Sequence, residues 1–337
     1  MQAAVFVKEG VLEIQDREVP RIAAPDEVLI DVEGCGICGT DLHILDVPPG
    51  HPATPGCIMG HEYLGRIVEI GPEVRSRRPG ERVAVAPNLT CGLCAACRAG
   101  RSNHCSRFTT LGIFRDGGLA PRNVAPERAC YPIADRVPFE DAAWTEVLSC
   151  VVNSVDNVKV RPGETAVVIG GGPVGALHAA LFMAGGARVV VSDMSAARLG
   201  MLARYGVHRV VNVRDERLAD VVTHEVPGGA DVVADCVGNQ LDAALDLVRP
   251  GGRISLFGMN SGAAPPVRQY AITRNELTIF GSYVGVHTFP RAIALLESGA
   301  IRPSAFLSHV VPLDGVPGAL GALRGGDAMK IVVRHAA

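Results

Sequence analysis

Residues 165–193, TAVVIGGGPVGALHAALFMAGGARVVVSD, decide how this chain is read. "TAVVIG" is an apolar run of strand length, and "PVGALHAALFMAGG" is a helix with Pro173 in its first turn and glycines at its end. "ARVVVSD" is a second strand. Between the first strand and the helix, Gly170-Gly171-Gly172-Pro173-Val174-Gly175 fits G-x-G-x-x-G. At that position Gly170 permits a tight turn, Gly172 lets the backbone approach a pyrophosphate, and Gly175 lets helix pack on strand. The helix N-terminus then favours phosphate. Asp193, about 20 residues on, can accept hydrogen bonds from both hydroxyls of an adenosine ribose and would repel a 2′-phosphate. The expected cofactor is therefore NAD rather than NADP. Arg198 could stack on adenine or receive a 2′-phosphate. Asp193 is alternatively a helix N-cap, a task Ser195 could do as well.

Downstream the alternation continues through "SAARLGMLARYG", "RVVN", "ADVVADCVG", "GGRISLFG" and "ELTIFGSYVG". Strand–helix alternation of this kind predicts a parallel, doubly wound Rossmann sheet in an α/β protein. Upstream, to about Val147, the grammar differs. Short Val- and Ile-rich strands such as "EVLIDVEGCG", "EYLGRIVEIG" and "ERVAVAP" are broken by Gly and Pro, which predicts a β-rich lobe with little helix. The helix "TFPRAIALLESG" and the strand "MKIVVRH" close the chain, and that strand is expected to return to the first lobe. With 337 residues there is room for two cores, assigned to 1–147 plus 286–337 and to 148–285.

Cys91, Cys94, Cys97 and Cys105 stand at C-x2-C-x2-C-x7-C spacing in a lobe over about residues 88–108. Four thiolates on one short loop suit a closed tetrahedral Zn²⁺ site. An iron–sulfur run would use C-x2-C-x2-C-x3-C followed by proline, whereas Ser106 follows here. The other six cysteines (Cys35, Cys38, Cys57, Cys130, Cys150 and Cys236) are scattered, and no basic-then-apolar signal segment precedes the first strand. No apolar run approaches the ~18 residues of a membrane span. A cytoplasmic protein is expected. A net charge of −3 gives no electrostatic case for nucleic acid or anionic membranes.

"GCGICGTDLHILD" gathers Cys38, Thr40, Asp41 and His43, and "MGHEYLG" adds His61 and Glu62. Cysteine, histidine and carboxylate from separate segments can make an open zinc site with a position left for substrate. Any one of these residues alone is more often structural; a lone Cys38 would be a small core hydrophobe.

Together with "PGERVAV", the cysteine lobe, "VVIGGGPVG" and "RPGGRISLFG", these segments resemble the zinc-dependent medium-chain dehydrogenases, which include alcohol, sorbitol and threonine dehydrogenases. The resemblance runs over essentially the whole chain. It implies a GroES-like catalytic domain and a Rossmann domain, with substrate and zinc in the cleft between them, and two zinc ions per chain. Cys38 and His61 resemble the catalytic zinc ligands, and Asp41 the carboxylate that fixes the histidine tautomer. Thr40 resembles the hydroxyl that takes the alcohol proton, and His43 the imidazole that relays it. The third ligand position matches Glu146, as in sorbitol-dehydrogenase-like members, where the glutamate of the His-Glu pair, here Glu62, ligates instead. Cys150, a turn beyond Glu146, is out of register. Lys330 resembles the basic residue near the pyrophosphate. Animal sorbitol dehydrogenases carry an arginine where this chain has Phe280-Gly281-Ser282-Tyr283, which argues against ordinary sorbitol chemistry.

The expected reaction is oxidation of a polar secondary alcohol (polyol, cyclitol or amino-alcohol) to a ketone, by a homodimer or homotetramer whose partners are small molecules. A simple alcohol dehydrogenase of the same family is the alternative. A catalytically silent dinucleotide-binding protein would be expected to lack Cys38, His61 or Thr40. A zinc-free reductase would lack the cysteine lobe and the His-Glu pair. Aromatics at 4% leave little to line an apolar slot.

Overall fold

A computed structural model describes residues 1–326 and 328–335. The chain divides into two compact units: Met1–Ser149 with the chain from Val286 onward, and Cys150–Gly285.

The second unit is built on a six-stranded sheet in the order Arg209–Asn212, Arg188–Asp193, Thr165–Ile169, Ala230–Asp235, Val248–Leu256, Thr278–Gly281. Every neighbouring pair is parallel. Thr165–Ile169 is central, and Ala166, Val167 and Val168 are fully buried, so this strand reads as an unbroken apolar run rather than an alternation. Strand order reverses between Thr165–Ile169 and Ala230–Asp235, the point where open α/β sheets bind ligands beyond their strand ends. The glycine loop leaves the first of these strands there. The Ala196–Tyr205 helix starts at Ser195, whose Oγ accepts from the Arg198 N–H, and stops at Gly206 in the left-handed region. Ser195, not Asp193, is thus its cap.

The first unit holds a mixed sheet in the order Leu307–Val311, Lys330–Arg334, Glu27–Ile37, Glu62–Ile70, Arg82–Val85, Cys130–Pro132, with Arg122–Pro126 also on Glu27–Ile37. The last strand runs antiparallel to Glu27–Ile37, pairing Ile331 with Ile37, so the chain does return to its first lobe. The core between these strands includes Val28, Ile30, Ile67, Val83 and Val333, all fully or almost fully buried. The chain up to Val147 holds more helix than its strand-like grammar predicts, namely Gly39–Ile44, Phe139–Ala142 and the start of Thr145–Val158. The expected helix forms over Phe289–Glu297, and a further one over Val316–Arg324. The helices Gly39–Ile44 and Phe139–Ala142 are too short for a 3.6-residue period to stand out in sequence. Among the described residues, no helix is long and apolar enough to cross a membrane.

Candidate functional site

Strand pairing builds the reactive cluster. Gly36 pairs with Glu62, and on the other side of the same strand Ile331 pairs with Ile37. One step further along these registers, Cys38, His61 and Lys330 converge at the strand ends. The sulfur of Cys38, a ring nitrogen of His61 and a carboxylate oxygen of Glu62 lie within 4.8 Å of one another. A side chain on Gly36 would run into the Glu62 carboxylate, so glycine makes room for it. Cys38 is the extended residue ahead of the Gly39–Ile44 helix, and its N–H donates to Asp41 Oδ2 at 2.8 Å. That bond turns Asp41 Oδ1 toward His61 Nδ1, 3.6 Å away. Thr40 Oγ1 lies 3.6 Å from Cys38 Sγ.

Asp41, His61 and Glu62 are all buried, yet Asp41 Oδ1, His61 Nδ1 and Glu62 Oε1 make no hydrogen bond. Burial disfavours a charged His61, but the neighbouring Cys38, Asp41 and Glu146 outweigh it and hold the imidazole pKa well above its ordinary value. A pocket that drives a buried imidazole to take a proton favours a cation, and thiol, imidazole and carboxylate are zinc donors. The residues therefore fit a three-ligand metal centre, with Asp41 behind the histidine. Glu146 lies outside the three-residue group but is buried at the start of the Thr145–Val158 helix. It acts on His61 and Lys330 through its charge. Cys150 is buried one turn further along and is likewise outside the group.

Lys330 has a task that sequence reading missed. The resemblance assigns it to the pyrophosphate. In the structure it is 2% exposed, and its ammonium donates to Glu62 Oε2 and, at 3.1 Å, to the Ile37 carbonyl. It also lies 5.7 Å from the centre of the Trp144 ring. Burial opposes its charge, but Glu62 prevails and raises its pKa; the Glu62 carboxyl is held below its usual range against the same burial, chiefly by Lys330. The available signal was a lysine inside the apolar run "MKIVVR".

Cys91, Cys94, Cys97 and Cys105 also come within 4.8 Å of one another. Backbone N–H groups of Leu93 and Cys94 donate to Cys91 Sγ at 3.4 and 3.3 Å, and that of Arg107 to Cys105 Sγ at 3.3 Å. The Leu93 and Cys94 amides hold the Cys91 thiol down to about 5, which favours the thiolate a metal needs.

In the other unit Gly170 takes a φ of 95°, the left-handed turn expected of it, and a side chain on Gly175 would strike the Gly170 carbonyl. Gly172 is the residue ahead of the Pro173–Ala184 helix, with Pro173 and Val174 in its first turn. Asp193 ends its strand with Oδ2 accepting from the Gly171 N–H and Oδ1 from the Ser195 N–H, both at 2.7 Å. The Arg198 guanidinium reaches to 3.8 Å from where a Gly172 side chain would begin. Asp235, unremarked in the sequence, shapes the next strand end by accepting from the N–H groups of Val237, Gly238 and Gln240, each at 2.8 Å.

A dinucleotide loop in one unit and a buried thiol–imidazole–carboxylate centre in the other define a metal-dependent oxidoreductase. The family model for the alcohol dehydrogenase GroES-like domain matches residues 24–135, and that for zinc-binding dehydrogenases matches residues 173–298. The chain belongs to the zinc-dependent medium-chain dehydrogenase family. It is 33% identical to the sorbitol dehydrogenase of Bacillus subtilis strain 168, over 93% of this chain and 91% of that protein. It is 34% identical to the L-threonine 3-dehydrogenase of Anaeromyxobacter dehalogenans strain 2CP-C, over 99% and 98%. A zinc-binding dehydrogenase of Sinorhizobium meliloti 1021, solved with NADP, superposes with a TM-score of 0.92 at 31% identity, covering 99% of this chain and 98% of the other.

Proposed function

We propose that this chain oxidises a polar secondary alcohol to a ketone, passing hydride from the carbinol carbon to NAD and releasing the hydroxyl proton to solvent. The observation that carries the reading is the Cys38–His61–Glu62 group, in which His61 Nδ1 and Glu62 Oε1 are buried without hydrogen-bond partners. Zinc held there, when bound, supplies the Lewis acidity that lowers the pKa of a substrate hydroxyl. Thr40 then takes the hydroxyl proton. His43, three residues on along the same helix face, receives it and hands it to solvent. Asp41 keeps the His61 ring oriented. A second zinc on the four cysteines is structural, giving two per chain.

The loop of Gly170, Gly172, Pro173, Val174 and Gly175 holds the pyrophosphate, and Arg198 stacks on adenine. Asp193 receives the ribose hydroxyls and selects NAD, its charge opposing a 2′-phosphate. The sorbitol and threonine dehydrogenase relatives support a substrate with hydroxyl or amino groups beside the reacting carbon. Buried Glu146 supports it too, since a carboxylate whose charge acts on His61 favours a substrate with polar groups over an alkyl chain.

The test is a screen of polyols, cyclitols, amino-alcohols and 3-hydroxy amino acids against hexanol and benzyl alcohol, following NADH absorbance. Higher kcat/KM for the polar set is expected. A clear preference for the two apolar alcohols overturns the substrate class, and no turnover of any alcohol with either nicotinamide cofactor overturns the activity.

A further inference from the structure

Outside the metal-type clusters, the Gly39–Ile44 helix carries a chain of side-chain contacts that leads away from His43 to groups the reaction scheme leaves unused. At its C-terminal end His43 Nδ1 lies 3.2 Å from Asp46 Oδ2. The other oxygen of the same carboxylate, Oδ1, accepts from Arg324 Nη2 at 3.2 Å. That nitrogen also reaches the carbonyls of Leu45 at 3.1 Å and Leu42 at 3.4 Å, the last turn of the helix. Arg324 ends a separate helix, Val316–Arg324, so the guanidinium straps one helix to the end of another. The loop after Asp46 folds back on the same spot, the Gly50 N–H donating to the His43 carbonyl at 2.9 Å.

We propose that Asp46, held by Arg324, is a positioning residue for His43. A carboxylate only accepts hydrogen bonds, so the short contact requires the proton on Nδ1 of a neutral His43. Nε2 is then left with its lone pair, the form needed to receive a proton handed on from Thr40. The proposal rests on the proton path above. The pair is exposed, with 58% of the His43 and 42% of the Asp46 side chain open to solvent, so it adds little to stability. Its effect lies in fixing the tautomer and the ring direction, as the partners of catalytic and metal-bound histidines do.

The experiment follows turnover and the ¹⁵N side-chain NMR signature of His43, identified by its loss in His43→Gln. In the wild-type protein the Nδ1–H tautomer is expected. Asp46→Ala should return His43 to the Nε2–H form common in water and lower kcat about tenfold with KM nearly unchanged, the loss being partly rescued by imidazole buffer. Asp46→Asn, whose amide oxygen can still accept from Nδ1–H, should lose less. Arg324→Met should fall between wild type and Asp46→Ala. In a His43→Gln background Asp46→Ala should add nothing. If Asp46→Ala and Asp46→Asn leave the tautomer and kcat unchanged while His43→Gln slows turnover, the proposal is overturned and the relay stands. If His43→Gln itself leaves kcat untouched, the relay reading falls and the proposal with it.

Discussion

His178 Nε2, on the Pro173–Ala184 helix, lies 2.9 Å from Ser154 Oγ, and both side chains are completely buried. The direction of every proton around it follows. His178 Nδ1 is 2.9 Å from the Val174 carbonyl, which can only accept, so Nδ1 carries the proton. Nε2 must then accept from the Ser154 hydroxyl, which in turn accepts from Ser255, 2.7 Å away. The Phe182 and Phe257 rings meet the imidazole edge to face.

This neutral, desolvated ring should make the protein acid-sensitive. Burial lowers its pKa from 6.5 to about 4. Below the unfolded value the unfolded chain takes up a proton that the folded ring refuses. Stability from this group is therefore complete above about pH 6.5 and is lost as pH falls toward 4, by roughly 3 kcal/mol in all. Denaturant midpoints measured from pH 4 to 7 should fall less steeply in His178→Gln than in the wild type. Parallel curves would place the folded pKa near its ordinary value.

Metal analysis of the purified protein should find two zinc ions per chain. Four cysteines come together in one group, which suits a closed structural site. The other group has three donors, the number a catalytic zinc site uses when it keeps a position for substrate. Mild chelation should remove the metal at Cys38, His61 and Glu62 first, abolishing activity while circular dichroism stays unchanged. One zinc per chain, or iron, would refute the two-site assignment.

NAD should be preferred over NADP by at least about tenfold, since the repulsion at Asp193 is worth on the order of 1–3 kcal/mol. The carboxylate has a second task, accepting from Gly171 and Ser195, so Asp193→Ala should weaken both cofactors. Asp193→Asn keeps one acceptor oxygen and removes the charge. It should narrow the ratio of kcat/KM values mainly by improving NADP. Equal use of both cofactors by the wild type would point to Arg198 as the decisive residue.

What was legible in the sequence was what depends on neighbours along the chain. The parallel sheet announced itself because each strand and helix has its own local period and each turn its glycine, as at Gly170 and Gly206. The four-cysteine loop did so because its spacing is its geometry. Cys38, His61 and Glu62 come from two segments, and the structure brings them together through the pairing of Gly36 with Glu62. The pairing of Ile331 with Ile37, which carries Lys330 to Glu62, joins strands almost 300 residues apart and left only one lysine in an apolar run as a sign. Asp46 was harder still, because its partner Arg324 meets it only through the packing of two helices.

The ion pair of Lys330 and Glu62 yields the sharpest stability prediction. Both side chains are 2% exposed or less, so neither charge has water to fall back on. Lys330→Met leaves Glu62 as an unpaired buried carboxylate, which typically costs about 3–5 kcal/mol. A divalent cation on the same carboxylate would supply compensating charge, so the cost should depend on metal. The metal-free variant should therefore lose several kcal/mol of stability relative to metal-free wild type, and the zinc-loaded variant distinctly less. Adding Glu62→Gln to Lys330→Met should recover part of the metal-free loss, because the charge that lacked a partner is gone. Denaturant midpoints of the chelated and zinc-reconstituted proteins measure all of these differences. An equal loss in both forms would mean that Lys330 supports the fold and does not share Glu62 with a metal.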